Sequence, residues 1–237
     1  MAHWVAVSDA TQSLDGSRRR ARLAGALLYL VCDAHPGGRD LGAFARACLA
    51  GGVDVVQLRD KDSDDSDLLQ AGAVLRKACR DADALFIIND RPDLAQALDA
   101  DGAHLGQNDI PVAEARRLVG PERLVGLSTH TAAEVDAARD VDYIGVGPVY
   151  ATPTKPGREA VGAELVAHAA ARANVPFFAI GGITTQTVGP VLAAGTRRVA
   201  VVRALADAED PETTARALRA HVQRGQGVPE GAGVGAT

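Results

Sequence analysis

The chain has little of what several protein classes require. Aromatic residues make up only 3% of its 237 positions, with one Trp, three Tyr and four Phe. A platform of stacking rings for nucleic-acid bases is therefore excluded. Positive charge is not in excess either: 25 Lys and Arg stand against 30 Asp and Glu, a net charge of -5. That argues against a polyanion-binding surface, so no nucleic-acid partner is expected. No apolar run approaches the ~20 residues that span a bilayer, so no membrane partner is expected. The three cysteines, Cys32, Cys48 and Cys79, lack metal-ligand spacing and read as reduced thiols of the core or of helix faces. Arg18-Arg19-Arg20 before the apolar Leu23–Cys32 stretch has the outline of an export signal. However, the apolar run is short and Val31 is not the small residue a cleavage site wants. The stretch serves better as a first strand, and a cytoplasmic location is expected.

What the chain does have is a regular alternation of short apolar runs and amphipathic segments. Strands are expected at Leu27–Cys32, Val53–Arg59, Leu85–Asn89, Ala103–Leu105, Leu124–Leu127, Tyr143–Val146, Phe177–Ile180 and Val199–Val202. Each is bounded by Gly, Pro or charge, as for strands covered on both faces. Helices are expected at Leu41–Ala50, Asp67–Arg80, Pro92–Leu98, Pro111–Leu118, Ala132–Arg139, Ala163–Ala173, Thr185–Ala194 and Pro211–Gln223. Pro92, Pro111 and the Thr131 N-cap mark helix starts. Eight such pairs predict an α/β fold, a (β/α)8 TIM barrel in a single domain over residues 25–224. A doubly wound open sheet is the rival. The Gly181-Gly182 turn after the seventh strand favours the barrel, because phosphate is commonly bound there. Residues 1–24 read as a loosely ordered extension and residues 225–237, rich in Gly, as a disordered tail.

Chemistry-bearing residues gather where the apolar runs end. Side chains alternate along a strand, so Val55, Gln57 and Arg59 share one face and Val56 and Leu58 the other. The first set would point into the barrel, bringing Gln57 and Arg59 to its mouth with Lys61 on the following loop. Such buried polar groups call for a ligand, unless Arg59 pairs at the rim with Asp60 or Asp62. Asp90 and Asp109 follow neighbouring strands and can together bind Mg²⁺ while leaving room for phosphate oxygens; either alone could be a helix cap. Ser128 ends the fifth strand with no Ser-His-Asp arrangement around it, and reads as a hydrogen-bond donor to phosphate. His104 and His130 are open between structural and ligand-binding roles. The Thr152-Pro153-Thr154-Lys155 loop after the sixth strand is long, as binding loops often are.

Taken together, these segments resemble the thiamine phosphate synthase family. The resemblance runs from about Leu27 to Leu218 and rests on Tyr29-Leu30-Val31, Gln57-Leu58-Arg59-Asp60-Lys61, Ile88-Asn89-Asp90-Arg91 and Asp101-Gly102-Ala103-His104-Leu105-Gly106-Gln107. The Thr152-to-Gly157 loop and Gly181-Gly182-Ile183 complete it. The resemblance implies a transferase of thiamine biosynthesis. It would join 4-amino-2-methyl-5-hydroxymethylpyrimidine diphosphate to 4-methyl-5-(2-hydroxyethyl)thiazole phosphate, or the carboxylated thiazole, giving thiamine phosphate and pyrophosphate. It further implies that Gln57, Arg59, Lys61, Asn89, Ser128 and Lys155 hold the pyrimidine diphosphate and that Asp90 and Asp109 ligate the Mg²⁺ cofactor. Arg59, Lys61, Ser128 and Lys155 would be the catalytic groups. Thr152, Thr154, Gly182, Val202 and Arg203 would receive the thiazole phosphate, with Arg203 standing where the family commonly has Ser. Pyrophosphate would leave first and the thiazole nitrogen would then attack. The partners implied are small molecules, with room for a homo-oligomer. The alternatives are a thiazole tautomerase-like paralogue or a non-catalytic barrel that binds thiamine precursors.

Overall fold

Strand-forming runs of Val, Ile and Leu set the frame of the molecule, a computed structural model that describes residues 15–152 and 159–225. The strands are β1 (Leu28–Cys32), β2 (Val55–Leu58), β3 (Leu85–Asn89), β4 (Gly102–Leu105), β5 (Leu124–Thr129), β6 (Tyr143–Val146), β7 (Phe177–Ile180) and β8 (Val199–Val201). They pair in parallel in chain order, and β8 returns to β1 through Leu28↔Val199, closing the barrel. The expected (β/α)8 architecture is therefore the observed one, and the open sheet is not.

Around the barrel lie α2 (Leu41–Ala50), α3 (Asp65–Asp81), α4 (Val112–Val119), α5 (Ala132–Ala137), α6 (Gly162–Arg172), α7 (Val188–Ala193), the short α8 (Arg203–Ala206) and α9 (Pro211–Gly225). Side-chain caps fix several starts: Asp40 accepts from the Ala43 N–H, Asp64 from Asp67 and Thr131 from Glu134, as expected for Thr131. The strand period divides the core in two. Val56, Leu58, Ile88 and Ile144 face outward with Phe44, Leu75 and Leu218 of the helices. Tyr29, Val31, Val55, Ile87, Tyr143 and Phe178 fill the barrel interior. Val55 inside and Val56 outside is the alternation expected on β2. Cys32, Cys48 and Cys79 are buried thiols without disulfides, and burial pushes all three up from the ordinary thiol range. Among the described residues, no helix is long and apolar enough to cross a membrane.

Two expectations need correction. Residues Gly16–Gly25 are not a loose extension but a helix, α1, capped by Asp15 accepting from the Arg18 N–H. It plugs the N-terminal end of the barrel: Leu23 and Ala26 join the interior cluster, and Arg19 is 2% exposed. Arg19 Nε donates to Asp101 Oδ1 at 3.0 Å, and Asp101 also accepts from Arg76 at 3.0 Å and from the Phe86 N–H at 2.9 Å. The second correction is Pro92–Leu98, which forms only a 3-10 turn at Pro92–Leu94 followed by further turns. The connection from Asn89 to Gly102 is too short for a full helix, and Asp99 reverses the chain at a φ of +47°. The expected tail lies outside the described residues apart from Gly225, which ends α9.

Candidate active site

A cavity of about 580 Å³ opens at the C-terminal ends of the strands, the face where barrels of this kind carry their chemistry. Gln57, Arg59, Asn89, Ser128, Thr152, Gly182, Val202 and Arg203 all line it, drawn from seven strand ends and loops as the sequence led us to expect. Lys61, Asp90 and Asp109 do not line it; they form a cluster on the rim beside Arg59 and Asn89. Thr154 and Lys155 lie outside the described residues.

The position of each side chain follows from its strand. Gln57 points inward from β2 and is 3% exposed. Its Nε2 donates to the Tyr29 hydroxyl at 2.7 Å, so the buried amide has a protein partner already. Arg59, one inward step further along, makes no ion pair or hydrogen bond among the described residues. The rim pairing with Asp60 or Asp62 does not form. Asp60 instead accepts the backbone N–H groups of Ala34, Asp62 and Ser63; burial pushes its carboxyl up, but those bonds outweigh it and the net shift is downward. A cavity-lining guanidinium without an anion is a site prepared for one.

On the rim, Lys61 Nζ lies 3.2 Å from Asp90 Oδ2. Asp90 holds a φ of +60°, a left-handed conformation that Asp tolerates better than most residues. Its N–H donates to the His104 carbonyl at 2.8 Å, tying the end of β3 to β4. Asp109 turns back to accept the Gly106 N–H at 2.6 Å, which brings its carboxyl against that of Asp90. Burial, and then the neighbouring Asp109, hold the Asp90 carboxyl above the ordinary range, with Lys61 opposing. Burial also pushes Asp109 up, but its bonds to Asp90 and Gly106 and the charge of Lys61 prevail and leave it low. The pair thus shares a proton, as two crowded carboxyls do when no cation lies between them.

Across the mouth, Gly181 and Gly182 turn the chain after β7 with φ values of +108° and +65°. A Cβ at Gly182 would sit 2.7 Å from the Tyr150 Cβ, so the turn needs glycine twice over. Arg203 opens α8 and its Nε donates to Asp207 Oδ2 at 2.8 Å in a half-exposed pair. Both residues line the cavity.

Sequence reasoning missed the cavity floor. Tyr29 and Tyr143 meet at 2.9 Å between hydroxyls, and Tyr143 continues to His104 Nδ1 at 3.2 Å. His104 Nε2 lies 3.0 Å from Ser128 Oγ. The open question about His104 is answered toward a buried interior position. The signal was available: two of only three tyrosines fall at inward positions of strands. His130 sets its Nδ1 against the Gly147 carbonyl and lines the same cavity.

The chain matches the family model described as thiamine monophosphate synthase over residues 28–205. It is 52% identical over 216 residues to a thiamine-phosphate synthase of Saccharopolyspora erythraea, spanning 87% of this chain and 97% of the relative. It is likewise 52% identical over 205 residues to one of Thermobifida fusca, spanning 84% and 94%. Among solved structures, a thiamine phosphate pyrophosphorylase from Pyrococcus furiosus superposes with a TM-score of 0.78 at 31% identity, over 88% of this chain and 99% of that one. A geranylgeranylglyceryl phosphate synthase from Thermoplasma acidophilum, at 13% identity and a TM-score of 0.65 over 88% of this chain and 97% of that one, shares the barrel fold alone.

Proposed function

The chain belongs to the thiamine monophosphate synthase family and is a transferase with thiamine-phosphate synthase function, and from that premise we propose how its residues divide the work. The cavity takes 4-amino-2-methyl-5-hydroxymethylpyrimidine diphosphate on the β2–β5 side, with Gln57, Asn89 and Ser128 around it and Arg59 and Lys61 facing the diphosphate. It takes the thiazole phosphate, or its carboxylated form, on the β6–β8 side at Thr152, Gly182, Val202 and Arg203. Thr154 and Lys155 belong to the same two sets. The observation that carries this reading is the cavity-lining Arg59 guanidinium beside the Lys61–Asp90–Asp109 cluster: cations and paired carboxylates adjoining one opening.

The carboxylates suit Mg²⁺. Two hard oxygen donors already crowd each other enough to raise one of them, and a divalent cation relieves that repulsion. Among the described residues no group of three or more metal-ligating side chains occurs. That suits an ion that keeps waters and completes its shell with substrate phosphates. Asp90 and Asp109 would hold it. When bound, it would add positive charge against the pyrophosphate oxygens.

The residues of the chain account for the remaining demands of a dissociative substitution. Arg59, Lys61 and Lys155 neutralise charge that builds on the departing pyrophosphate. Gln57 and the aromatic floor orient the pyrimidine, whose amino group feeds electrons to the carbon losing the pyrophosphate. The thiazole nitrogen carries a free lone pair, so no general base is required, and the site needs only to align the two rings. Cytoplasmic location and any homo-oligomer belong to the same proposal.

The experiment is incubation of the purified chain with both precursors and Mg²⁺. The expected products are equimolar pyrophosphate and thiamine phosphate, the latter read as a fluorescent thiochrome derivative. Saturable binding of both precursors with neither product would instead support a precursor-binding barrel.

A further inference from the structure

The cavity floor holds a line of five polar groups whose middle three have no role in the reading above. The line runs Gln57 Nε2, Tyr29 hydroxyl, Tyr143 hydroxyl, His104 ring, Ser128 Oγ, with successive separations of 2.7, 2.9, 3.2 and 3.0 Å. Every member is buried, from 1% exposed at Tyr143 to 8% at His104 and Ser128. Buried polar atoms without partners are costly, so proton positions along such a line are constrained by counting donors. An amide nitrogen only donates, so the Tyr29 oxygen accepts from Gln57. The single Tyr29 proton then goes to Tyr143, and the Tyr143 proton goes to His104 Nδ1. The neutral imidazole therefore carries its proton on Nε2 and donates it to Ser128 Oγ. The Ser128 hydroxyl proton is left over, and Ser128 lines the cavity.

The opposite sense is also self-consistent. With the Gln57 amide turned over, its carbonyl oxygen would accept from Tyr29 and every later donor would reverse. Ser128 would then spend its proton on His104 and offer a ligand only lone pairs. One side chain at one end thus decides what the other end presents.

Packing holds the line in place. Phe178 meets both Tyr29 and Tyr143 edge-on, at ring separations of 5.1 and 5.9 Å. Gly126 leaves the space that Tyr143 occupies: a Cβ there would lie 2.2 Å from the Tyr143 Cζ. Burial raises both phenols far above their ordinary range, so neither loses the proton the line needs.

We propose that this chain is a one-way hydrogen-bond relay in which Tyr143 and His104 are positioning residues that keep the Ser128 hydroxyl as a donor to the diphosphate. The proposal rests on the reading that Gln57 and Ser128 contact the pyrimidine diphosphate. It makes the relay a sensor as well: a pyrimidine that pairs with the Gln57 carbonyl holds the amide in the sense that readies Ser128.

The test has two independent parts. The first is ¹⁵N NMR of the His104 imidazole in the ligand-free chain, with the resonance assigned by its loss in His104→Asn. The relay requires the proton on Nε2; a proton on Nδ1 means the line runs backward and overturns the proposal. The second is a double-mutant cycle. Tyr143→Phe, which keeps the ring, should lower kcat/KM for the pyrimidine diphosphate about tenfold, the order expected for a charged-acceptor hydrogen bond. In the Ser128→Ala background the same change should alter it less than about twofold, because the group it acts through is gone. Tyr29→Phe should behave alike. Equal losses in both backgrounds would assign the tyrosines a purely structural role and overturn the relay. A wild-type chain that releases no pyrophosphate would overturn the functional reading instead, and the imidazole tautomer would still decide the sense of the line.

Discussion

Replacing Arg19 by Met removes the charge that α1 drives into the base of the barrel while keeping most of the apolar stem. Arg19 is 2% exposed and its partner Asp101 is fully buried, with 3.0 Å between them. Removing one partner of a buried ion pair typically costs 3–5 kcal/mol, because the other charge is left uncompensated. Here Asp101 keeps Arg76 at 3.0 Å and the Phe86 N–H at 2.9 Å, so the lower end applies, about 3 kcal/mol. For a chain of this size each kcal/mol moves the melting temperature by roughly 2–4 °C, giving a fall of about 6–12 °C. The control is Arg18→Met one position away, whose pair with Asp15 is 68% and 61% exposed. A pair of that kind contributes under about 1 kcal/mol, and the expected change is at most a few degrees. Melting followed by circular dichroism decides it. If the two variants melt within about 2 °C of each other, α1 is not an integral part of the barrel and the description of its plug is wrong.

Other outcomes follow from the site. Lys155→Ala should slow turnover by more than about tenfold if the ammonium neutralises the leaving pyrophosphate, and an unchanged rate demotes it to a surface lysine. Arg203→Ala should raise KM for the thiazole phosphate and spare that for the pyrimidine diphosphate; the reverse pattern moves Arg203 out of the thiazole subsite. Asp90→Asn should raise the melting temperature of the protein in EDTA at pH 7. The folded Asp90 carboxyl binds its proton more tightly than the unfolded one, so its ionisation weighs against folding above its folded pKa. That penalty fades as pH falls toward the ordinary carboxyl range, and the gain from Asn should shrink with it. A variant less stable than wild type at pH 7 in EDTA would contradict the crowding of the two carboxyls.

Much of the fold was legible because its signals are local. Leu85–Asn89, Tyr143–Val146 and Phe177–Ile180 are strands with the expected bounds, and Leu41–Ala50 is the expected helix. The inward set Val55, Gln57 and Arg59 needed only the strand period, and the rim residues were readable because each follows an apolar run. What was hidden depends on partners distant in sequence. Helix α1 looks polar in isolation, since Arg18, Arg19 and Arg20 dominate it; that Arg19 is buried depends on Asp101, which the chain supplies much later. Pro92 marks a start correctly, but no local pattern says how little chain remains before Gly102. The cavity floor was missed for a related reason. Tyr143 and His104 stand on strands β6 and β4, and their meeting depends on the room that Gly126 leaves on β5.

The account stands on a divalent cation and basic side chains acting together at the barrel mouth, and direct titration of Mn²⁺, read by electron paramagnetic resonance with pyrimidine diphosphate present, tests it most directly. Wild-type protein should bind one Mn²⁺ per chain, and Asp90→Asn and Asp109→Asn should each weaken that binding and cut Mg²⁺-dependent turnover while leaving the fold intact. Unchanged Mn²⁺ affinity in both variants, with wild-type turnover that still needs Mg²⁺, would contradict it.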